Sequence, residues 1–390
     1  MSFSTRSRAP IVLLLFVLSL VLSAFMGFGV QAVDARSKDV QLTVTSYELL
    51  GTVNIPTGTL FEGTVVGGLS SITYDPARNV YYAISDDQGT LSPVRYYTLD
   101  IDLSDGYLDP GDITILDVTT ILDPSGLPFA AGSLDPEGLV LTHQGQLYFS
   151  SEGFALRDID PFINRINLNG RQTRALEIPA KFLPAAPTYG VRQNLGFESL
   201  NVTPDGKYLV TASEGALAQD GPAASANNGS FARILQYRLS SGEPVAEYVY
   251  EVNPLAEPPV PSGAFGVNGL VELLPLDNSG TMLALERSFS VGAPDTGNTI
   301  WLYEISTLGA TDVSGYDPLP PDFEPVSKRL ILDVEADLGI PPDNIEGMAF
   351  GPALPDGRLP LVLVSDNNFA GNQVTQFIVL AVELDSVPTE

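Results

Sequence analysis

From residue 40 to residue 385 the chain consists of short apolar runs, many of them β-branched or aromatic, each stopped by Gly, Pro, Asp or Asn. No long window carries apolar residues at a 3.6-residue period, so the pattern predicts strands throughout. One arrangement of strand, turn and strand recurs. Residues 134–153 (LDPEGLVLTHQGQLYFSSEG) open on Glu137 and close on Ser151-Glu152-Gly153. Residues 195–215 (LGFESLNVTPDGKYLVTASEG) and 344–368 (NIEGMAFGPALPDGRLPLVLVSDNN) repeat it, with Glu198 and Glu214, then Glu346 and Asp366. Looser copies run from Ser70 to Asp86 and from Asn268 to Glu286. The opening positions 70, 137, 198, 268 and 346 lie 67, 61, 70 and 78 residues apart, the mark of an internal repeat.

Each of the first four units reads as four strands, whereas the fifth (EGMAFG, LPLVLVS, QVTQFIVLAVEL) stops one strand short. A spare run at 40–56 (VQLTVTSYELLGTVNIP) precedes the first unit and completes the set. The predicted fold is therefore an all-β propeller of five four-stranded blades, spanning 40–385 and closed by its N-terminal strand. Six blades are the alternative, since the repeat spacing leaves room for another hairpin.

The first hairpin of each unit turns through DPARN, HQGQ, TPDGK, DNSG or PDGR, which places these turns on one face. The longer connections at 152–161, 214–230, 286–298 and 366–373 fall on the other. In an antiparallel pair the start of one strand adjoins the end of the next. Glu137 should then sit near Glu152, Glu198 near Glu214, and Glu346 near Asp366. Ser70, Glu137, Glu198, Asn268 and Glu346 are expected as an inner ring on the long-loop face. Asp86, Glu152, Glu214, Glu286 and Asp366 are expected just outside it.

Residues 1–32 have a different character. Arg6 and Arg8 precede the apolar run 11–30 and small residues follow, the layout of a secretory signal cleaved after Ala32 or Ala35. An uncleaved anchor is the alternative. Export to the periplasm or beyond follows from either. Loss of 1–32 removes two Arg and no acid, moving the formal charge from −28 to −30. Such a surface repels nucleic acid and anionic membranes and favours divalent cations. The chain has no Cys, so neither disulfides nor thiolate metal sites are available.

The succession D-P-E-G-L … L-Y-F-S-S-E-G, G-F-E-S-L-x-V-T-P-D-G-K-Y-L and I-E-G-M-A-F resembles the phytase-like family of exported bacterial proteins, described as having an esterase-like activity of phytase. The likeness covers roughly 69–383. It implies a propeller and a hydrolase of phosphate or other esters. Glu137, Glu152, Glu198 and Glu346 match its motifs, with Arg192 just upstream of Gly196-Phe197-Glu198. The first and fourth units depart from it at Ser70 and Asn268.

Eight carboxylates among ten positions at one mouth would raise one another's pKa values unless a cation intervened. With oxygen donors only and a single His, the set favours Ca²⁺, then Mg²⁺ or Mn²⁺, over Zn²⁺. The candidate ligands are Glu137, Glu152, Glu198, Glu214, Glu346 and Asp366. The bland reading makes them acceptors for strand-end N–H groups and for Ser85, Ser151, Ser213 and Ser365. Arg157 on a long loop, Arg192 just before the third inner strand and Arg287 directly after Glu286 are candidates for binding an anionic substrate. His143 lies in a short turn on the opposite face, and no G-x-S-x-G elbow occurs, which argues against triad chemistry. Two functions remain: a metal-dependent hydrolase of a small ester or phosphoester, or a non-catalytic propeller that binds a ligand or protein partner.

Overall fold

A computed structural model describes residues 40–185 and 187–387. The leader expected at 1–32 lies outside the described residues. Five antiparallel four-stranded sheets are present, and the chain is a five-bladed propeller rather than a six-bladed one. Blade 1 comprises Leu69–Asp75, Val80–Ser85, Arg95–Ile101 and Ile113–Thr120. Blade 2 comprises Pro136–Leu141, Leu147–Ser151, Phe162–Ile166 and Gln172–Ala175. Blade 3 comprises Phe197–Val202, Tyr208–Ala216, Ser230–Arg238 and Glu243–Val252. Blade 4 comprises Gly266–Pro275, Thr281–Ser290, Asn298–Ser306 and Ser327–Asp333.

Blade 5 has Ile345–Phe350, Leu359–Ser365 and Val374–Val387, and its fourth, outermost strand is Gln41–Pro56. Pairing runs from Gln41 opposite Val387 to Pro56 opposite Val374, with irregularities at Val44/Ser46 and Leu49/Gly51. The ring therefore closes by joining the two ends of the described chain, as the missing strand of the fifth repeat requires. Burial of Leu42, Val44 and Leu50 on this strand contributes about 5–9 kcal/mol, so closure is a large part of the stability.

Both faces of most strands are buried, which explains the continuous apolar runs. In blade 1, Tyr81 and Ala83 pack toward blade 5, whereas Tyr82 and Ile84 pack toward blade 2. Five apolar clusters result, one in each wedge between neighbouring blades. The first strand of every blade is innermost, and successive first strands adjoin around the axis. Glu272 on the inner strand of blade 4 accepts a hydrogen bond from Ser71 Oγ of blade 1 (3.2 Å), a contact that crosses the central channel. Among the described residues no helix is long and apolar enough to cross a membrane.

Candidate functional site

In four blades the residue before the opening position pairs with the closing serine: Leu69 with Ser85, Pro136 with Ser151, Phe197 with Ser213, and Ile345 with Ser365. The N–H of the next residue, always an acid, donates to the carbonyl two residues before the opening position. These bonds join Asp86 to Gly68 (2.8 Å), Glu152 to Asp135 (3.1 Å), Glu214 to Gly196 (2.8 Å) and Asp366 to Asn344 (3.0 Å). A repeated backbone arrangement thus delivers four closing acids to one end of the ring, beside Glu137, Glu198 and Glu346. Asp86, all six predicted ligands and Arg287 line a cavity of about 630 Å³ at that mouth.

The two opening residues that are not acids turn away from it. Ser70 donates to the Glu137 carbonyl (2.9 Å), and Asn268 donates to the Asn253 carbonyl (2.9 Å) and to Glu286 (3.1 Å). Glu286 does not reach the mouth, contrary to the sequence expectation. The hairpin of blade 4 is longer, pairing Val267 with Phe289, so the closing position is Ser290. Glu286 instead sits within the blade, neutralised by Lys328 and accepting from Tyr250 Oη (2.7 Å). The next residue, Arg287, points into the mouth and pairs with Glu346 (3.0 Å) and Glu214 (3.4 Å). Gly269 makes room here, because a Cβ at that position would stand 2.2 Å from the Glu214 carboxyl.

The carboxyls are crowded and largely buried. Burial first, and then the neighbouring acids, push Asp86, Glu137 and Glu198 well above the usual carboxyl range. Glu152 and Asp366 are also raised well, by burial and then by Asp135 and Glu346 respectively. Burial pushes Asp135 up to about 6. Burial likewise raises Glu214 to about 7, with Arg287 pulling against it. Burial raises Glu346 too, against Arg287 and the Asn344 amide. Burial alone would lower Arg287, but Glu214, Glu346 and Glu198 hold it above its ordinary value.

Few donors serve these acids. Gly196 N donates to Glu152 (3.1 Å), Asn368 N to Asp366 (2.6 Å), and Asn344 Nδ2 to Glu346 (2.9 Å). The recurring serines bind backbone instead. Ser85 and Ser365 donate to the carbonyls of Gly67 and Val374, while Ser151 and Ser213 accept from the N–H of Asp135 and Arg233. Among the described residues, Asp86 Oδ1 and Glu214 Oε1 are buried without a hydrogen-bond partner.

Of the other two arginines, neither lines the cavity. Arg157 lies near enough to Asp135 to lower its pKa, but its guanidinium donates to the Gly132 carbonyl (2.6 Å) and stacks on Phe154. Arg192 is held by the carbonyls of Ala216 (3.1 Å) and Gly221 (2.5 Å). The residue that sequence reasoning missed is Asp135. It lies two positions before Glu137, just ahead of the strand Pro136–Leu141, as Asn344 lies two before Glu346 and just ahead of Ile345–Phe350, and that repeated offset could have revealed it.

Asp135, Glu137 and Glu152 are all buried and can bring one oxygen each within 4.8 Å of one another. Oxygens that share a Ca²⁺ at about 2.4 Å stand at most about 4.8 Å apart, so the trio fits such an ion. Without a cation, two ionised carboxyls at that separation repel by about 3 kcal/mol at an effective dielectric of 20. The donor set and the unpartnered Asp86 Oδ1 both suit a hard divalent cation.

A 27% identical stretch of 190 residues is shared with an "Uncharacterized secreted protein" of Arthroderma benhamiae, covering 41% of this chain and 35% of the relative. The chain thus spans about a third of that relative's length. Among solved structures, an endo-arabinase of Bacteroides thetaiotaomicron aligns over 85% of this chain and 96% of its own (15% identity, TM-score 0.41). A periplasmic gluconolactonase of Pseudomonas aeruginosa aligns over 89% and 99% (15% identity, TM-score 0.36). The family described as "Phytase-like: Esterase-like activity of phytase" matches residues 64–369, and the chain belongs to that family.

Proposed function

We propose that this is an exported hydrolase of a small phosphoric or other ester, working with a divalent cation, Ca²⁺ before Mg²⁺ or Mn²⁺, at the acidic mouth. The observation that carries the reading is the buried trio Asp135, Glu137 and Glu152, whose oxygens converge within 4.8 Å. Glu198, Glu214, Glu346 and Asp366 surround it and complete the set from which ligands would come. A bound cation would supply Lewis acidity and a water of lowered pKa. Arg287, steadied on two sides by Glu214 and Glu346, presents a fixed positive charge to an anionic group of the substrate. Glu198 receives no hydrogen bond among the described residues, and its raised pKa suits it to carry a proton. Of the other two arginines, Arg157 would act on this site through its field at Asp135, and Arg192 is taken up by the Ala216 and Gly221 carbonyls. Export rests on the leader-like 1–32 and on the secreted relative.

One observation favours a non-catalytic ligand-binding propeller instead. Among the described residues lining the mouth the sole hydroxyl is Thr296, which donates to the Pro342 carbonyl (2.5 Å), and no His stands beside it. An assay of chelated protein with p-nitrophenyl phosphate and p-nitrophenyl acetate, before and after Ca²⁺ is restored, separates the two. Hydrolysis that returns with Ca²⁺ and is lost in Glu137→Gln supports the hydrolase. Ca²⁺ binding with no turnover of either ester supports the binding module.

A further inference from the structure

We propose that a second site, for a tetrahedral oxyanion group (phosphate or sulfate, free or on a small ester), lies on the short-turn face between blades 2 and 3. A cleft of about 410 Å³ opens there, lined by Arg165, Arg174, Lys207 and Arg238 and by no Asp or Glu among the described residues. In a chain with 47 acids and 19 bases, four cations around an acid-free cleft is the reverse of what random placement would give.

The strand register sharpens the point. Arg165 on the third strand of blade 2 stands directly opposite Arg174 on the fourth. Like charges in directly opposed positions destabilise a sheet unless something of opposite sign lies between them. Neither arginine has a carboxylate partner among the described residues, and neither does Arg238. Lys207 alone is paired, with Asp205 (2.7 Å) at the rim.

The side chains are nevertheless held. Arg165 donates through Nε to Thr173 Oγ1 (2.9 Å), which fixes its plane and leaves both terminal NH₂ groups without a partner. Arg174 reaches across to blade 3, where one NH₂ group donates to the Ser241 carbonyl. The approach is so close that a Cβ on Gly242, itself at φ +76°, would stand 2.4 Å from it. Arg238 lies over the Tyr208 ring. Anchored guanidinium forks with idle donors match an anion offering three or more oxygens better than a carboxylate with two. Gln146 and the buried Tyr148, directly opposite Arg165, form the cleft's neutral wall and could take the remainder of an ester.

The test is calorimetric titration of the full-length exported protein, kept in chelator so that no cation at the mouth contributes, with inorganic phosphate, sulfate and glycerol 3-phosphate. Saturable one-to-one binding is expected, weakened about tenfold by Arg165→Gln and again by Arg174→Gln, the scale of a lost charge-assisted contact. Equal affinity for phosphate and its ester assigns recognition to the oxyanion alone. Tighter ester binding adds the Gln146–Tyr148 wall, and either result upholds the site. Should the Arg174 variant not fold, Arg238→Gln and the rise of wild-type Tm with phosphate decide in its place. Absence of saturable binding below about 10 mM, weaker than any useful affinity, overturns the proposal, as does binding unchanged by Arg165→Gln together with Arg174→Gln.

Discussion

Two buried clusters of charge in this molecule have opposite compositions. On the outer part of blade 3, Arg233 is fully buried and bonds Asp220 twice (2.6 and 3.0 Å) and Glu247 (2.9 Å). Lys181 also donates to Glu247 (3.2 Å) and to the carbonyls of Ser314 and Tyr316, and Asp220 accepts from Leu319 N (2.9 Å). Two acids meet two bases there, and the contacts tie connections from four parts of the chain together. At the mouth, eight carboxyls raised by burial (Asp86, Asp135, Glu137, Glu152, Glu198, Glu214, Glu346 and Asp366) stand with Arg287, the one base among the described residues that line the cavity. Where the chain supplies its own countercharge the acids hold structure. Where it does not, protons or a cation from solution must balance them.

The sharpest way to break the contrast is Arg233→Met. It leaves Asp220 and a half-compensated Glu247 buried, and removing one partner of a buried pair costs about 3–5 kcal/mol. Chemical denaturation should show a loss on that scale, with the far side of the ring unchanged in hydrogen exchange. A loss below about 1 kcal/mol, the range of exposed pairs, would mean that the network is not structural.

At the mouth the expectation runs through the solution instead. Saturation with Ca²⁺ at a hundred times Kd should stabilise chelated protein by about 2.7 kcal/mol. Glu137→Gln, which keeps shape and removes charge, should abolish most of that gain while leaving the chelated protein at least as stable as wild type. If Ca²⁺, Mg²⁺ and Mn²⁺ all leave the denaturation midpoint where it was, the mouth is balanced by protons alone.

How much of this was legible beforehand follows from locality. The five blades, the closure by 40–56 and the meeting of Glu198 with Glu214 all follow from a repeat and from antiparallel geometry, which a single chain displays. Glu286 misled because TMLALE imitates the end of a closing strand, and only the register at Val267 and Phe289 shows where blade 4 ends. Arg157 and Arg192 were candidates by proximity in sequence, but backbone carbonyls of other segments hold them, Gly132 for Arg157 and Ala216 and Gly221 for Arg192. The Arg233 network had no periodic signature at all, since Lys181, Asp220, Glu247 and Tyr316 belong to separate segments.

Glu272 sharpens the contrast further, being a buried carboxyl with neither a base nor a second acid beside it. Burial raises its pKa well above the ordinary value, against hydrogen bonds from Leu273 N (2.8 Å) and Ser71 Oγ. A folded pKa above the unfolded one means that the folded state retains a proton the unfolded chain has shed. Stability is therefore intact below about pH 4.3 and declines as pH rises toward the folded pKa, by about 1.4 kcal/mol per unit of elevation. Glu272→Gln should match wild type at pH 4 and exceed it increasingly toward pH 8. A constant difference between the two across that range would show that Glu272 is ionised in the folded channel.

The smallest effect is expected at the only histidine. His143 is exposed in the turn between the first two strands of blade 2, next to Gly206 of the neighbouring blade. That turn belongs to the short-turn face, whereas Glu137 and Glu152 sit at the other end of the same two strands. His143→Ala should shift stability by no more than about 0.5 kcal/mol, as surface changes do, and leave ester hydrolysis within a few-fold. The comparison of the clusters depends on this. If the mouth works through a cation and its own carboxyls, an imidazole on the far face has no proton to move. A fall in hydrolysis beyond roughly a hundredfold, the scale of a general acid–base group, would instead place the chemistry on the short-turn face and leave the acidic mouth a cation-holding structural feature.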